Sequence, residues 1–408
     1  MRPDDLPRFR QSPTDPAFMA DPYPAYERLR ALGPVAFWEE LGKPVLCGHA
    51  EVSAVLRDRR FGREVTHLAS REALGWEPIP ERLAPFYAFE AHSLLEREPP
   101  VHTRLRRLVN RAFTSRAIAG LGPRIEALAE TLIDGFDGEV ELMEAYATPI
   151  PLTVIAELLG APVEAGPQML AWSHDMVGMY QAGRDREAED RAVAATEAFS
   201  AFMRELIAER RRRPGEALID ALIAAEDPAA EGGARLSEPE LVTTCILLLN
   251  AGHEATVHAI GNAVRLVVEQ GLDRAAFGRA GGERAVDECL RHDPPLHLFS
   301  RYALGEVEVA GLRLRLGEEV GLLLGAANRD PAAFADPARP DLGREGADRH
   351  VSLGAGLHFC VGAPLARLEM RAALAVLFRR LPELRLAGAP ERSGRWHFHG
   401  HQTLRVAP

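Results

Sequence analysis

The stretch His350–Met370, HVSLGAGLHFCVGAPLARLEM, decides how the chain is interpreted. Two glycines, Gly354 and Gly356, precede a single cysteine, Cys360, and Gly362 follows it. Glycines at this density permit backbone turns that a side chain would forbid, and they let the loop approach something flat and bulky. The apolar residues that follow recur at helical spacing, which predicts a helix beginning just beyond the cysteine. The positive end of that helix dipole would favour a thiolate at this place.

A lone cysteine before a helix is more often structural, but the order Gly-x-Gly-x-His-x-Cys-x-Gly is specific. It resembles the haem-binding loop of the cytochrome P450 family, in which the cysteine thiolate is the proximal ligand of the haem iron. The resemblance implies haem b bound through Cys360. It also implies that Gly354 and Gly362 shape the loop and that His358 contacts a haem propionate. The aromatic residue usual before the first glycine is Leu353 here.

The composition is that of an ordinary globular protein with an acidic balance. Of the 408 residues, 47% are hydrophobic and 26% are charged, and the net charge is −11. This charge argues against nucleic-acid binding through a general basic field. Four widely spaced cysteines without a CxxC pair indicate neither a disulfide framework nor a zinc ribbon. Because neither a signal peptide nor an 18-residue apolar run is evident, we expect a cytoplasmic protein with no membrane attachment.

Two segments upstream of the cysteine match further haem contacts of the family. The helical pattern of EPPVHTRLRRLVNRAF places His102 and Arg106 four residues apart, on one helix face. The resemblance assigns both residues to a haem propionate, because cationic groups suit a carboxylate at a partly dry edge. Arg301 matches a further propionate-binding arginine. For the first segment alone, a solvated arginine-rich helix is the alternative.

A buried ion network is predicted behind the cysteine loop. Glu288 and Arg291 lie three residues apart on one helix face, a spacing that by itself is common on protein surfaces. In the family such a pair joins an arginine from the segment before the cysteine loop. The resemblance assigns this part to Arg344, with Arg339 as the competing choice. Removing one member of a buried network costs about 3–5 kcal/mol, so we interpret these residues as structural.

The apolar helical pattern around LLLNAGHEATVHAI first suggests a zinc protease. However, His253 and His258 are five residues apart, about 500° of helical rotation, whereas the protease pattern needs two histidines four apart on one face. Zinc is therefore rejected. The segment resembles instead the oxygen-activating helix of the P450 family, which implies catalytic roles for Ala251, Gly252, Glu254, Ala255 and Thr256.

One position of this helix departs from the family. The usual alcohol is replaced by Ala255, and Thr256 follows one residue later, rotated by about 100°. A methyl group cannot donate a hydrogen bond or order water. The resemblance implies that the substrate's own polar group assists proton delivery, because some family members with alanine here use such assistance. Two alternatives stay open: an indirect relay through Thr256 and Glu254, or a poorly coupled reaction that releases peroxide.

The substrate-pocket residues are assigned by resemblance alone. They mix apolar side chains with amide and imidazole groups: Leu94, Leu247, Asn250, Leu296, His297, His397 and Phe398. The last two lie in RWHFHGHQTL, where His397, His399 and His401 alternate as on one strand face. A metal site is one interpretation of these histidines, but three without a fourth ligand are more typical of a polar strand. We expect a substrate with an apolar body and a polar group.

Matching motifs run from His102 to Gly362, so the resemblance implies one cytochrome P450 domain over residues 1–408. Its fold is mainly α with a small β-rich lobe, and the haem lies between the long helix and the cysteine loop. The implied activity is insertion of one oxygen atom of O2 into a small organic substrate. Electrons would come from NAD(P)H through a separate ferredoxin or flavodoxin, because no flavin domain is attached. We expect a monomer.

Two other functions stay open at this point. A peroxygenase would use H2O2 directly, but it would favour an arginine where Glu254 stands. A non-catalytic haem-thiolate sensor or carrier would bind haem without turnover. For the monooxygenase, arginines on the expected proximal face predict where an acidic ferredoxin docks. They are Arg104, Arg107, Arg111, Arg349 and Arg367.

Three segments carry secondary-structure predictions that the motifs do not settle. Arg71–Arg97 contains prolines and aromatic residues, and its apolar residues follow no sustained helical or strand periodicity, which indicates a long loop. The segment RRRPGEALIDALIAAEDPAAEGG is predicted to be a surface connection between helices. Arg301–Leu324 has a shorter period and is predicted to form strands with a turn at Gly317.

Overall fold

The structure, a computed structural model, describes residues 1–114, 118–180, 184–227 and 234–408. The chain divides into two compact units. The first unit comprises Met1–Leu68, Leu121–Ile150 and Ala255–Pro408, and the second comprises Ala69–Gly120 and Pro151–Glu254.

Helices dominate both units. In chain order the described helices are α1 (Pro16–Ala20), α2 (Tyr23–Ala31), α3 (His49–Arg57), α4 (Ala84–Glu90), α5 (Val101–Ala112), α6 (Gly122–Asp134), α7 (Pro149–Leu158), α8 (Gly166–Val177), α9 (Arg186–Arg212), α10 (Leu218–Ala224), α11 (Glu238–Glu269), α12 (Gly282–His292), α13 (Leu324–Ala327) and α14 (Ala363–Arg380), with a π-helical turn at Met143–Ala147. The longest is α11, with 32 residues. Among the residues described, none of these helices combines the length and the apolar character needed to cross a bilayer.

The described strands all belong to the first unit. They are β1 (Arg8–Phe9), β2 (Val35–Trp38), β3 (Lys43–Leu46), β4 (Phe61–Gly62), β5 (Val140–Glu141), β6 (Leu298–Ala303), β7 (Val307–Val309), β8 (Leu312–Leu314), β9 (Glu319–Leu323), β10 (Arg385–Leu386), β11 (Glu391–Arg392), β12 (His401–Thr403) and β13 (Arg405–Ala407). Six of them form one mixed sheet in the order β1-β2-β3-β9-β6-β4. The predicted strands with a turn at Gly317, whose φ is +82°, are present as β6–β9.

The middle strands of the six-stranded sheet, β3 and β9, are buried on both faces, which makes them a rigid support. Side chains alternate across these strands, as the two-residue period requires. Leu46 and Leu322 enter one apolar core, and Val45 and Leu323 enter the other, beside Trp38. Fully burying side chains of this size contributes about 1.5–3 kcal/mol each. The neighbouring strand β6, which carries a predicted cofactor residue, is therefore held in place.

Two loop predictions are wrong in part. The predicted loop Arg71–Arg97 contains the helix α4, which buries Phe86, and the predicted surface connection contains α10, which buries Leu218 and Leu222. Both helices have seven residues, too few for a helical period to emerge from the sequence. The last residues of that connection, 228–233, lie outside the described residues.

Candidate functional site

The cysteine loop leads directly into α14, as the sequence predicts. Cys360 is half-buried and lies three residues before Ala363, where the helix begins. Its backbone N–H donates to the carbonyl oxygen of Leu353 over 2.9 Å, and the Ala363 N–H donates back to its carbonyl over 3.4 Å. These two bonds close the loop around the sulfur-bearing residue. The N-terminal end of an 18-residue helix therefore lies next to the thiol.

Two of the loop glycines are required by the backbone. Gly354 and Gly356 have φ values of +71° and +68°, in the left-handed region that glycine adopts without strain. At Gly356 a Cβ atom would also lie 2.4 Å from the carbonyl oxygen of Leu56, so any side chain would displace the loop from the end of α3. Gly362 is different, because its φ of −83° is open to any residue and it stands at the cap of α14.

The four cysteines differ in their ability to provide a thiolate. Burial raises the pKa of Cys47 to about 11 and that of Cys245 to about 12, and it raises the pKa of Cys289 as well. All three are buried, whereas Cys360 is half-buried in the glycine loop. A thiolate is the form that binds metal. The residues present therefore fit a haem-iron ligand at Cys360.

The structure brings Glu288, Arg291 and Arg344 together in the first unit. Arg291 donates to both carboxylate oxygens of Glu288 over 2.7 and 2.8 Å, and the Nε of Arg344 donates to Oε1 over 3.1 Å. Glu288 and Arg291 are 0% exposed. The competing Arg339 has an exposed side chain and contributes only its carbonyl oxygen, which accepts from Arg344 over 2.7 Å.

This ion network continues onto the cysteine loop through Asn328. The Nη1 of Arg291 donates to the carbonyl oxygen of Asn328 over 2.9 Å. The Asn328 side chain accepts from the Val351 N–H over 2.8 Å and donates to Ser352 Oγ over 2.7 Å. Because all these groups are buried, each hydrogen bond is expensive to lose. Asn328 therefore holds the backbone just before Gly354 in place through Val351 and Ser352.

The predicted propionate-binding residues are placed in both units. In the first unit Arg301 lies on β6, is 2% exposed, and donates to the carbonyl oxygen of Ser300 over 2.9 Å, and His358 lies half-buried in the cysteine loop. In the second unit His102 is 1% exposed and Arg106 is half-buried one turn further along α5. Each pair therefore combines a guanidinium with an imidazole at positions sheltered from water.

The middle of α11 has one open face. Residues 241–246 and 256–264 of this helix are buried without exception, but seven positions between them are not. Five of the seven share one helical face at spacings of three and four residues: Leu247, Asn250, Ala251, Glu254 and Ala255. At Gly252 a Cβ atom would lie 3.3 Å from Ile155 Cδ1, so glycine lets α7 pack closely here. Thr256 is 4% exposed and belongs to the buried part.

The C-terminal histidines do not form the predicted polar strand. The strand β12 begins only at His401, and both His399 and His401 are buried while His397 is partly exposed. Burial lowers the pKa of His401 to about 2 and that of His399 well below its usual value, so both rings are neutral.

His399 belongs instead to a buried cluster around Asp293. Potential ligand atoms of Asp293, His297 and His399 lie within 4.8 Å of one another. However, Asp293 Oδ2 already accepts from Arg265 and Arg392, each over 3.0 Å. Two guanidinium groups at that distance repel a further cation. We therefore assign no metal to the cluster. Sequence reasoning missed Asp293, and its only signal was an acidic residue directly before Pro294-Pro295.

The pocket assignments from the sequence separate into open and buried positions. Leu296, His397 and Phe398 are partly exposed, as are the α11 residues described above, and Leu296 pairs with Phe398 through a β-bridge. His297 is 0% exposed, and its Nδ1 lies 2.8 Å from the Tyr26 hydroxyl. Its assignment to the pocket is therefore not retained. Leu94, at 5% exposure, is also largely buried.

Three of the five arginines predicted to attract a redox partner are already bound to acidic residues. Arg104 pairs with Glu240, and Arg107 Nε lies 3.6 Å from Asp227 Oδ2. Arg367 Nε donates to Asp287 over 2.7 Å. Of the five, Arg111 and Arg349 have exposed side chains without a carboxylate partner among the described contacts.

Comparisons with known proteins agree with these features. A cytochrome P450 family model matches residues 283–384, which include the ion network and the cysteine loop. The cytochrome P450 monooxygenase PikC of Streptomyces venezuelae is 36% identical over 387 residues, covering 91% of this chain and 87% of PikC. The chain belongs to the cytochrome P450 family.

Two further cytochromes P450 extend the comparison. The vitamin D(3) 25-hydroxylase of Pseudonocardia autotrophica is 38% identical, with 91% of this chain and 89% of the relative covered. The solved structure of P450BioI in complex with hexadec-9Z-enoic acid ligated acyl carrier protein matches with a TM-score of 0.85 and 31% identity, over 96% of this chain and 99% of that one. The predicted cytochrome P450 fold is thus confirmed. As a member of the family, the protein binds haem b and is a monooxygenase, an oxidoreductase.

Proposed function

We propose that Cys360 is the thiolate ligand of haem b and that the protein inserts one oxygen atom of O2 into a small organic substrate. The observation that carries this proposal is the setting of Cys360. It is the half-buried cysteine, in a glycine loop at the start of α14, while burial disfavours the thiolate at the other three. When bound, the haem supplies the oxidising chemistry, and the second oxygen atom leaves as water.

The chain's own residues divide the remaining work. Arg301, His358, His102 and Arg106 are proposed to bind the haem propionates by charge-assisted hydrogen bonds. The open face of α11 is proposed to line the reaction site. There Glu254 passes protons inward and the small residue Ala251 leaves room for oxygen, while Gly252 lets α7 pack closely beside it. Ala255 offers no hydroxyl, and the Thr256 hydroxyl belongs to a buried position. A polar group on the substrate is therefore proposed to order the last proton donor.

The substrate is proposed to have a large apolar body and one polar group near the site of oxidation. On the chain, Leu247, Leu296 and Phe398 are partly exposed apolar residues, and Asn250 and His397 are partly exposed polar ones. Two relatives act on or bind molecules of this general kind: one is named a vitamin D(3) hydroxylase, and the other was solved with a fatty acyl chain on its carrier protein.

Electrons are proposed to come from NAD(P)H through a separate ferredoxin or flavodoxin. Arg111 and Arg349 are the candidates for contact with an acidic partner, because the other predicted arginines already pair with acidic residues. We further propose that residues 1–408 act as one cytochrome P450 domain, since P450BioI matches 96% of the chain. A monomer in the cytoplasm is proposed as well, and four free cysteines are consistent with a reducing compartment.

The reduced, CO-bound spectrum tests the ligand. We expect the red-shifted Soret band of thiolate ligation in the wild-type protein and its loss in Cys360→His. Cys245→Ser serves as the matched control and should keep the band. A band that survives in Cys360→His would refute the assignment.

Turnover then separates the three functions. The monooxygenase needs NAD(P)H, a ferredoxin system and O2 to form product, and substrates are found first by their spectral displacement of water from the haem. Product formed from H2O2 alone at the same rate would identify a peroxygenase. Binding without product under either condition would identify a sensor or carrier.

A further inference from the structure

Behind the cysteine loop, two ion pairs join the same two helices, α12 and α14. Asp287 and Arg367 form the inner pair, with Arg367 Nε donating to Asp287 Oδ1 over 2.7 Å. Glu283 and Arg371 form the outer pair, over 3.1 Å. Each pair lies four residues, about one helical turn, from the other on both helices. The inner Asp287 is 7% exposed, whereas the outer side chains are 58% and 37% exposed.

Only the inner pair reaches the cysteine loop. His350 Nε2 lies 3.2 Å from Asp287 Oδ1, and His350 Nδ1 accepts the backbone N–H of Ser352 over 3.1 Å. Since Nδ1 is an acceptor, the proton of the neutral ring is on Nε2, and Nε2–H donates to Asp287. Burial lowers the pKa of His350 despite the nearby carboxylate, which keeps the ring in this neutral form.

The charge on Asp287 is maintained by its two partners. Burial by itself would raise the pKa of this carboxyl group, but the hydrogen bonds from His350 and Arg367 hold it below its usual value. Asp287 thus accepts one hydrogen bond from Arg367 on α14 and another from His350, at the start of the cysteine loop. A buried carboxylate with two donors has a defined position, and the imidazole transmits that position to the loop backbone.

The remaining path to the cysteine is short. Ser352 Oγ donates to the carbonyl oxygen of Leu290 on α12 over 2.7 Å. The next residue, Leu353, accepts the Cys360 N–H through its carbonyl oxygen over 2.9 Å. A displacement of His350 would therefore move Ser352 and Leu353, and with them the backbone of Cys360.

We propose that Asp287, acting through His350, is a positioning residue that keeps the Cys360 loop in the geometry required for thiolate ligation. This proposal rests on the proposed function, because it presupposes that Cys360 is the haem ligand. In this proposal Asp287 acts through His350 and not by direct contact with the haem or the substrate. Its effect is on the loop, and the outer pair Glu283–Arg371 should lack that effect although it joins the same helices.

The experiment compares variants of the two pairs as purified holoproteins. At a temperature where all variants remain folded by far-UV circular dichroism, the reduced CO-bound protein is followed as the red-shifted thiolate Soret band converts to the unshifted band. We expect Asp287→Asn to convert about tenfold faster than wild type, on the scale of losing one charged hydrogen bond. Glu283→Gln should convert at the wild-type rate, and Asp287→Glu should recover part of the loss.

Two histidine variants examine the transmitting ring. His350→Asn can still accept from the Ser352 N–H but cannot reach Asp287, whereas His350→Phe does neither. We expect conversion to be faster in His350→Phe than in His350→Asn, and the reduction potential of the haem to shift most in His350→Phe. Arg367→Gln, which leaves the His350 contact in place, should lie between Asp287→Asn and wild type.

The outcomes distinguish this proposal from the proposed function. Equal conversion rates in Asp287→Asn and Glu283→Gln, with a normal thiolate band in wild type, would overturn the positioning role alone. A wild-type protein without the thiolate band would instead overturn the assignment of Cys360.

Discussion

Arg344 and Arg339 provide a direct test of the buried ion network, because they lie five residues apart and only one enters it. The perturbation is Arg344→Gln, with Arg339→Gln as the matched control. Arg344 is 12% exposed, and its Nε donates to Glu288 over 3.1 Å. It also donates to the carbonyl oxygens of Ala335 over 2.6 Å and of Arg339 over 2.7 Å. The Arg339 side chain is exposed.

The expected loss in the free energy of unfolding depends on which contacts remain in each variant. Breaking a buried ion pair costs about 3–5 kcal/mol, and Glu288 keeps both bonds from Arg291 in the variant. Because Glu288 keeps these bonds, the cost of Arg344→Gln should lie at the lower end of this range; the loss of the carbonyl contacts keeps it at about 3 kcal/mol. Arg339→Gln removes an exposed side chain, for which changes stay within about 0.5 kcal/mol.

Urea unfolding of the holoprotein, followed by haem absorbance and by tryptophan fluorescence, measures both values. We expect the midpoint to fall clearly for Arg344→Gln at an unchanged slope, and to stay in place for Arg339→Gln. If both variants lose the same stability, or if Arg339→Gln loses more, the assignment of Arg344 to the network is refuted.

Three further predictions follow from individual groups. A substrate analogue without the polar group nearest the oxidised carbon should yield less product per NAD(P)H than the true substrate. The Ala255→Thr variant should restore that yield with the analogue. Equal yields for both substrates in the wild-type enzyme would contradict substrate-assisted proton delivery. Burial raises the pKa of Glu369 to about 8, so the native state retains a proton that the unfolded state releases near pH 4.5. The free energy of unfolding should therefore fall as the pH rises from 5 to 8. In Glu369→Gln the urea midpoint should depend less on pH, and an unchanged pH dependence would show that another group causes it. In the native protein at pH 8, Cys47, Cys245 and Cys289 should resist iodoacetamide, because burial raises the pKa of each thiol; mass spectrometry showing any of them alkylated before unfolding would contradict their burial.

Local sequence patterns predicted the features that short motifs determine. The glycines at 354 and 356 occupy left-handed backbone positions, and the cysteine stands before a helix as the spacing indicated. The choice between Arg344 and Arg339 could not be made from spacing, because both lie in the same Pro- and Asp-rich segment, DPAAFADPARPDLGRE. The structure separates them, because Arg344 donates to Glu288 whereas the Arg339 side chain is exposed.

What the sequence could not indicate is which polar residues become buried together. His297 was assigned to the substrate pocket by resemblance, together with its neighbour Leu296, but in an extended segment neighbouring side chains point to opposite sides. Leu296 is accordingly partly exposed, and His297 meets Tyr26 in the core. Its partners come from positions about 100 to 270 residues away, such as His399, whose ring centroid is 4.5 Å distant. No local pattern contains that pairing.

The buried acids of α12 and its cap give the first unit its internal order. Asp287 contacts the cysteine loop and α14, Glu288 contacts the segment before that loop, and Asp293 holds Arg265 of α11 and Arg392 of β11. Each acid accepts charged hydrogen bonds from at least one other part of the chain, and each would be costly to bury alone. The motif that is visible in the sequence, Glu288 with Arg291, is thus one of three ionic junctions formed by this short segment. Because the three junctions hold different elements, the loss of one should affect its own element first: the ligand loop for Asp287, the preceding segment for Glu288, and the C-terminal hairpin with Phe398 for Asp293.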